Sequence, residues 1–216
     1  MCNETKIMAT NQFYFSATLL ESFRAYLQGR GYITTESEMI QRLCNVGKEV
    51  LPLSLNSPMQ AGLDFERLVA NKGVSEFASL QRFEKACDLA KEISRQTSGL
   101  EYQALHKCQL TENIGIYGYS DWSNADTILE LKTTRMIDMQ RYTQSMQHKV
   151  LCVASSASQF MYIVTDFDQI KSVNINADAT AKTIWRYEIE CVANKLVAFI
   201  ETHKIKNQNL NKVLIY

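Results

Sequence analysis

Three residues in the middle of the chain combine types and spacing that chemistry can use. In GYSDWSNADTILELKTTR, residues 118–135, Asp121 closes one strand-like run, and Glu130 and Lys132 sit two apart in the next. An extended chain alternates its side chains, so Ile128, Glu130 and Lys132 share one face and Leu129 and Leu131 the other. The turn-like WSNAD joins the two runs and lets Asp121 reach the same end of a sheet. Two carboxylates converging with an ammonium suit hydrolysis of a phosphodiester. The acids hold one or two hard divalent ions, which activate water and stabilise the leaving oxygen. The lysine orients the water or offsets developing charge. Glu-x-Lys alone says little, and Glu4-Thr-Lys6 supplies a second copy. A solvated edge strand would also carry such a pair. The strand–turn–strand context with Asp121 is what raises the signal.

A second acid stands apart. In GLDFERLVA, residues 62–70, a helical wheel puts Gly62, Leu63, Val69 and Ala70 around Glu66, with Asp64, Arg67 and Asn71 opposite. A lone carboxylate on a small, apolar face needs a charge partner if it is covered, which points Glu66 toward a metal site. Tyr117, Tyr119 and Trp122 flank Asp121 and offer rings on which bases could stack, although aromatics also favour strands for packing alone. Arg135 and Arg141 follow the lysine and are candidates for phosphate contacts.

These residues need a scaffold. Residues 16–28 read as a helix with Ser16 as N-cap, ending at the GRG of 29–31. Further helical patterns cover about 36–47, 61–71 (with Gly73 placed to end it) and 75–97. The last puts Phe77, Leu80, Phe83, Cys87 and Ala90 at core-facing spacing. Pro52 and Pro58 bracket a loop. From Leu100 the pattern changes to strands at 102–111, 114–121 and 127–134, a three-strand meander. One helix then spans about 136–155, strands follow at 159–167 and 170–176, and a final helix covers about 180–203. The expectation is an α/β fold: a mixed central sheet, the meander plus one or two further strands, flanked by helices.

At 216 residues the chain suits one domain, with 1–60 as a helical extension, 61–176 as the core and 177–216 as a closing helix and tail. No apolar run approaches the roughly 18–20 residues that span a bilayer, and the first residues lack a secretory h-region. A cytoplasmic protein without a membrane partner is expected. The six cysteines are spread without a CxxC pair, which excludes a disulfide scaffold or zinc ribbon as the organising feature. Net charge is zero, so no basic tail announces nucleic acid. Glu66, Asp121, Glu130 and Lys132 together carry a net charge of −2, and the remainder is correspondingly basic.

Taken in order, Gly118-Tyr-Ser-Asp121 and then Ile128-Leu-Glu130-Leu-Lys132-Thr resemble the core of the PD-(D/E)XK nuclease superfamily, with Ser120 where a proline is frequent. GLDFE is similar to the upstream helical motif of RecB-like and phage recombination exonucleases, and FSATLLESFRAYL to their opening helix. YTQSMQHKVLC is similar to the glutamine helix, with Gln147 the best match, Gln144 nearby, and Leu151-Cys152 where a tyrosine is common. The resemblance covers about residues 13–165. It implies an αβββαβ core and Mg²⁺- or Mn²⁺-dependent cleavage of DNA. Asp121, Glu130 and the Leu131 carbonyl would bind metal, with Glu66 on or near it and Gln147 assisting. The cysteines do not match the iron–sulfur arrangement of some relatives, so no cluster is expected. The implied setting is recombination, repair or phage replication, with a recombination or replication protein as a further partner. The short connections after Leu100 leave little material for base readout beyond the 29–60 region, which favours DNA ends over internal sites. A restriction-type endonuclease and a non-catalytic DNA-binding module are the alternatives.

Overall fold

A computed structural model describes residues 12–48, 58–72 and 83–211. Its elements are β1 (Phe13–Ser16), α1 (Ala17–Leu27), α2 (Glu36–Cys44), α3 (Pro58–Val69), α4 (Phe83–Gln96), β2 (Glu101–Gln109), β3 (Ile114–Ser123), β4 (Thr127–Thr133), α5 (Met139–Thr143), α6 (Met146–Val153), β5 (Gln159–Thr165), β6 (Ile170–Asn176) and α7 (Ala179–Thr202). The loop around Pro52, the Glu4–Lys6 pair, Gly73, and Phe77 and Leu80 of the 75–97 pattern lie outside the described residues.

Helix starts follow local chemistry. Ser16 caps α1 through the Leu19 amide, and Asp178 caps α7 through that of Ala181. Thr35 and Glu38 satisfy each other's amides in a capping box that opens α2.

The six strands form one mixed sheet flanked by helices. β2 lies antiparallel along one edge of β3, from Glu101↔Ser123 to Gln109↔Gly115. The other edge of β3 is shared. β1 runs parallel to its first residues, Phe13↔Ile114 to Ser16↔Tyr117, and β4 pairs only at Trp122↔Leu129 and Ser123↔Ile128. β5 then runs parallel to the whole of β4, and β6 antiparallel to β5. The meander and both later strands match the expectation. β1 does not: Phe13–Ser16, within the segment read as a helical extension, supply a sheet strand.

Strand alternation sorts the core. Leu129, Leu131 and Ile163 join Trp122 beneath Phe65 and Val69 of α3 and Ala86, Ala90 and Ile93 of α4. Ile128, Phe160, Tyr162 and Val164 pack with Leu151 and Cys152 of α6. Phe13, Phe15, Ile114 and Ile116 pack with residues of α1, α6 and α7. Buried on both sides, β5 reads as a continuous apolar run.

The single helix expected over 136–155 is two. Asp138 caps α5, and Ser145 opens a new helix by accepting from the Gln147 amide. Glu21 of α1 takes both the Ser145 hydroxyl and the Met146 amide. A serine hydroxyl that competes for backbone amides interrupts a helix, and here the break makes Gln147 a first-turn residue. Among the described residues no helix is long and apolar enough to cross a membrane.

Candidate active site

β3 and β4 part company directly after the pair Trp122↔Leu129. The turn before that pair is tight, because the Asn124 side chain accepts from the amides of Asp126 and Thr127. Beyond it, two acids replace the ladder. Asp121 Oδ2 accepts from the Leu131 amide at 2.7 Å, and Glu130 Oε1 accepts from the Asp121 amide at 3.2 Å. Each carboxylate thus satisfies the main chain of the other strand and holds the gap open. A residue's N–H and C=O leave a strand on the same edge, so the Leu131 carbonyl also faces the β3 side.

Glu130 is fully buried, and its Oε2 accepts from Lys132 Nζ and from Gln147 Nε2, both at 2.7 Å. The side chain of Lys132 is 28% exposed, so the pair opens outward at the lysine end. Gln147 makes this contact; Gln144 ends α5 and is exposed. Gly118, the glycine of the GYSD segment, has a steric reason. A Cβ there would lie 2.8 Å from Leu151 Cδ2 and 3.3 Å from Ala17 Cβ, so its absence lets α6 and α1 close onto β3.

Burial is the first cause that lifts Asp121 well above the ordinary carboxylate range, and the charge of Glu130 is the second. Lys132 opposes them, Glu66 adds to them, and the Leu131 amide pulls back. Glu130 is raised too, again by burial first, against the pull of Lys132. Burial works to lower Lys132, but Glu130 and Asp121 together outweigh it and raise the group above its ordinary value. The charge of Lys132 alone does not offset what burial and mutual repulsion impose on the two acids.

Glu66 reaches this site from α3, and its charge bears on both Asp121 and Glu130. The helix is turned relative to the expected wheel. Its buried side centres on Phe65 and Val69, while Leu63 is 40% exposed and Asp64 only 5%. Phe65 dictates this by packing edge-on against Phe167 at 5.1 Å, and Asp64 accepts from Gln60 at 2.8 Å. Glu66 lies at the margin of that side, half-buried, where Tyr102 donates to its Oε1 at 2.9 Å. Close packing of α3 on β4 sets its height: a Cβ on Gly62 would meet Thr133 Oγ1 at 2.6 Å.

The nucleic-acid candidates divide. Trp122 is 3% exposed and packs against Tyr102 at 5.4 Å, so it is a core residue and cannot stack on bases, contrary to expectation. Arg135 and Arg141 are exposed beyond the lysine end of β4. Tyr119 is half-buried and, with Gln147, borders a cleft of about 640 Å³ that Arg42 and Lys48 also line.

Three residues of the site escaped sequence reading. Tyr102 and Gln103 hold Glu66 from β2. Tyr162, in register with Glu130 on β5, buries its phenol beside the Glu130–Lys132 pair. Nothing local to Tyr162 signals this, since only the β4–β5 register brings it there. The Ser145 cap that aims Gln147 did have a signal, a serine ahead of an apolar helical run.

Among the described residues, no three acidic, histidine or cysteine side chains close into a metal cage. The donor set that fits an ion is smaller: Asp121, whose Oδ1 takes no hydrogen bond from the described residues, Glu130 and the Leu131 carbonyl. That set suits a hard cation completed by water.

No protein-family model and no curated protein matches the chain. Solved structures do match. An alkaline exonuclease from Laribacter hongkongensis superposes with a TM-score of 0.52 at 12% identity, over 91% of this chain and 94% of that one. A protein from Eubacterium rectale assigned as an exonuclease superposes with a TM-score of 0.54 at 11% identity, over 100% of this chain and 95% of that one. At such identities the likeness is one of fold: the mixed six-stranded sheet with flanking helices is also that of exonuclease structures.

Proposed function

We propose that this chain is a divalent-metal-dependent deoxyribonuclease that processes DNA ends. The observation that carries the reading is the knot at the β3–β4 split, where Asp121 and Glu130 meet beside a charged Lys132 and the Gln147 amide. A surface ion pair would not need two buried acids with raised pKa values, and perturbed groups of this kind mark functional sites.

Asp121, Glu130 and the Leu131 carbonyl would hold Mg²⁺ or Mn²⁺, with Glu66 beside them. When bound, the ion supplies Lewis acidity and lowers the pKa of a bound water. The rest falls to the chain's own groups. Lys132 donates to Glu130 at 2.7 Å, and as an ammonium it would also donate to an attacking water or a phosphate oxygen and offset charge in the transition state. Gln147 and Lys132 fix the Glu130 carboxylate by sharing one oxygen. Arg135 and Arg141, both exposed, would contact phosphates of the strand, and the cleft beside Tyr119 and Gln147 offers room for a strand end. Preference for ends is supported by the fold shared with exonucleases and by the short connections after Leu100, which leave little material there for reading a groove.

The test compares a closed circular plasmid with its linear form at equal Mg²⁺ and salt. Progressive loss of the linear form alone is the expected result. Lys132→Ala should abolish cleavage and leave DNA binding largely intact, because binding energy is spread over many backbone contacts. Discrete fragments from the closed circle would make the enzyme an endonuclease, and wild-type protein that binds DNA without ever cutting it would sink the catalytic reading.

A further inference from the structure

We propose that Tyr102 and Gln103 are positioning residues for Glu66, and that Gln103 is held in a strained backbone conformation to complete their clamp; this rests on the metal-dependent reading above. The β2–β3 register runs without a slip on both sides of Gln103, yet Gln103 alone is unpaired, opposite Asp121. Its φ is +57°, a left-handed value that a side chain as long as glutamine rarely adopts inside a strand.

The conformation has a geometric consequence. Neighbouring residues of an ordinary strand point to opposite faces, so Tyr102 and Gln103 could not both reach one carboxylate. Here they do. Tyr102 donates to Glu66 Oε1 at 2.9 Å, Gln103 Nε2 approaches the same oxygen at 3.4 Å, and Gln103 Nε2 also donates to the Tyr102 hydroxyl at 3.1 Å. The tyrosine ring has two further neighbours, Trp122 at 5.4 Å and Lys72 Nζ at 5.7 Å from its centroid. Both hydrogen bonds to Glu66 end on Oε1, and among the described residues Oε2 takes none. The clamp thus holds through one oxygen a carboxylate whose charge bears on Asp121 and Glu130. Strain retained at such a point persists because the surrounding contacts over-determine it.

Three variants separate strain from contact. Gln103→Gly removes both, so the metal-free protein should melt at or above the wild-type temperature while Mn²⁺ binding measured by calorimetry weakens about tenfold. Its kcat on linear DNA should fall by a similar factor with KM for DNA unchanged. Gln103→Asn tolerates the left-handed backbone but is one methylene short, and should lose Mn²⁺ affinity without the gain in melting temperature. Tyr102→Phe keeps the ring against Trp122 and should repeat the loss of affinity. If Gln103→Gly lowers the melting temperature and leaves Mn²⁺ affinity and kcat at wild-type values, the residue is merely structural and the clamp is wrong. If wild-type protein neither binds Mn²⁺ nor cuts DNA, the nuclease reading itself fails and takes the clamp with it.

Discussion

On the α6 side of Asp121, both oxygens of Glu130 are tied to neighbours, by the Asp121 amide, Lys132 and Gln147. On the α3 side, among the described residues, Glu66 is held through one oxygen only, by two side chains of which one sits on strained backbone. The first flank is buried and set by strand register. The second is half-exposed and depends on how a helix docks. A site that must keep a lysine and a carboxylate aligned gains from the first arrangement, because each group's rotamer is locked by the next. A carboxylate that must adapt to a ligand gains from the second. Substitutions should therefore act differently on the two flanks: stability and activity should fall together on the knitted one and move apart on the clamped one.

Asp121 stands between them, and its loss should have the largest effect. Asp121→Asn keeps an oxygen for the Leu131 amide but removes the charge, and should cut cleavage by about 10³-fold or more, since a bound ion supplies several kcal/mol. Stability should move the other way. The folded pKa of Asp121 is raised, so the folded state holds the proton more tightly than the unfolded chain does. Ionisation then costs stability as pH rises through the raised value, and below about pH 4, where both states are protonated, the cost vanishes. Without divalent ions the variant should melt higher than wild type at pH 7.5, by about 2–4 °C for each kcal/mol relieved, and equally at low pH. Mg²⁺ should raise the melting temperature of wild type and not that of the variant. A variant that melts lower than wild type at pH 7.5 would show that burial does not strain this acid.

How far the sequence disclosed this site follows from which contacts are local. The alternation of Ile128, Glu130 and Lys132 is a two-residue property, and the structure keeps it. The meander and the last two strands were equally readable. Long-range packing was not. Whether Trp122 faces bases or core depends on α3 and α4 covering it, and nothing near Trp122 says so. The rotation of α3 was misjudged because one large side chain, Phe65, outweighs the small residues around Glu66. β1 is four residues long and pairs with β3 about a hundred positions away, so its pattern is too short to separate from the helix that follows. The helix break at Ser145 was legible in principle, but the apolar stripe of Met139, Tyr142, Met146, Val150 and Val153 continues across it.

The knitted flank can be tested without touching Glu130. Ser145→Ala removes the cap that opens α6 and one of the two groups that Glu21 holds. Loss of such a cap costs about 1 kcal/mol, and the first turn that carries Gln147 should loosen. Melting temperature and kcat should fall together, kcat by about tenfold as for other groups that orient a ligand. This is the opposite of the pattern expected for Gln103→Gly. If Ser145→Ala loses stability and keeps full activity, Gln147 does not depend on the cap, and stability and activity are not coupled on this flank.

The smallest effect at neutral pH, and the most selective in acid, should come from His148. It follows Gln147 on α6, is 2% exposed, and lies among the rings of Phe160, Tyr162 and Trp185. Burial is the main force that pushes its pKa down to about 3, with Lys149 and Arg24 adding to it. An unfolded histidine titrates near 6.5, so between about pH 6.5 and 3 the unfolded chain binds a proton that the folded protein refuses. Stability is then fully present above pH 6.5 and lost as pH falls, at up to about 1.4 kcal/mol per pH unit from this group. His148→Phe fills the same aromatic site without a titrating nitrogen. Its unfolding free energy, measured by urea denaturation from pH 7.5 to 4, should decline less steeply than that of wild type and cross above it in acid. On β2, the strand of the clamp, His106 is only half-buried, and Glu101 opposes the burial that lowers its pKa, so acid should release Gln147 and α6 before it disturbs Glu66. Equal slopes for the two proteins would mean that His148 is protonated within the fold, and the acid sensitivity would then have to be sought in the carboxylates.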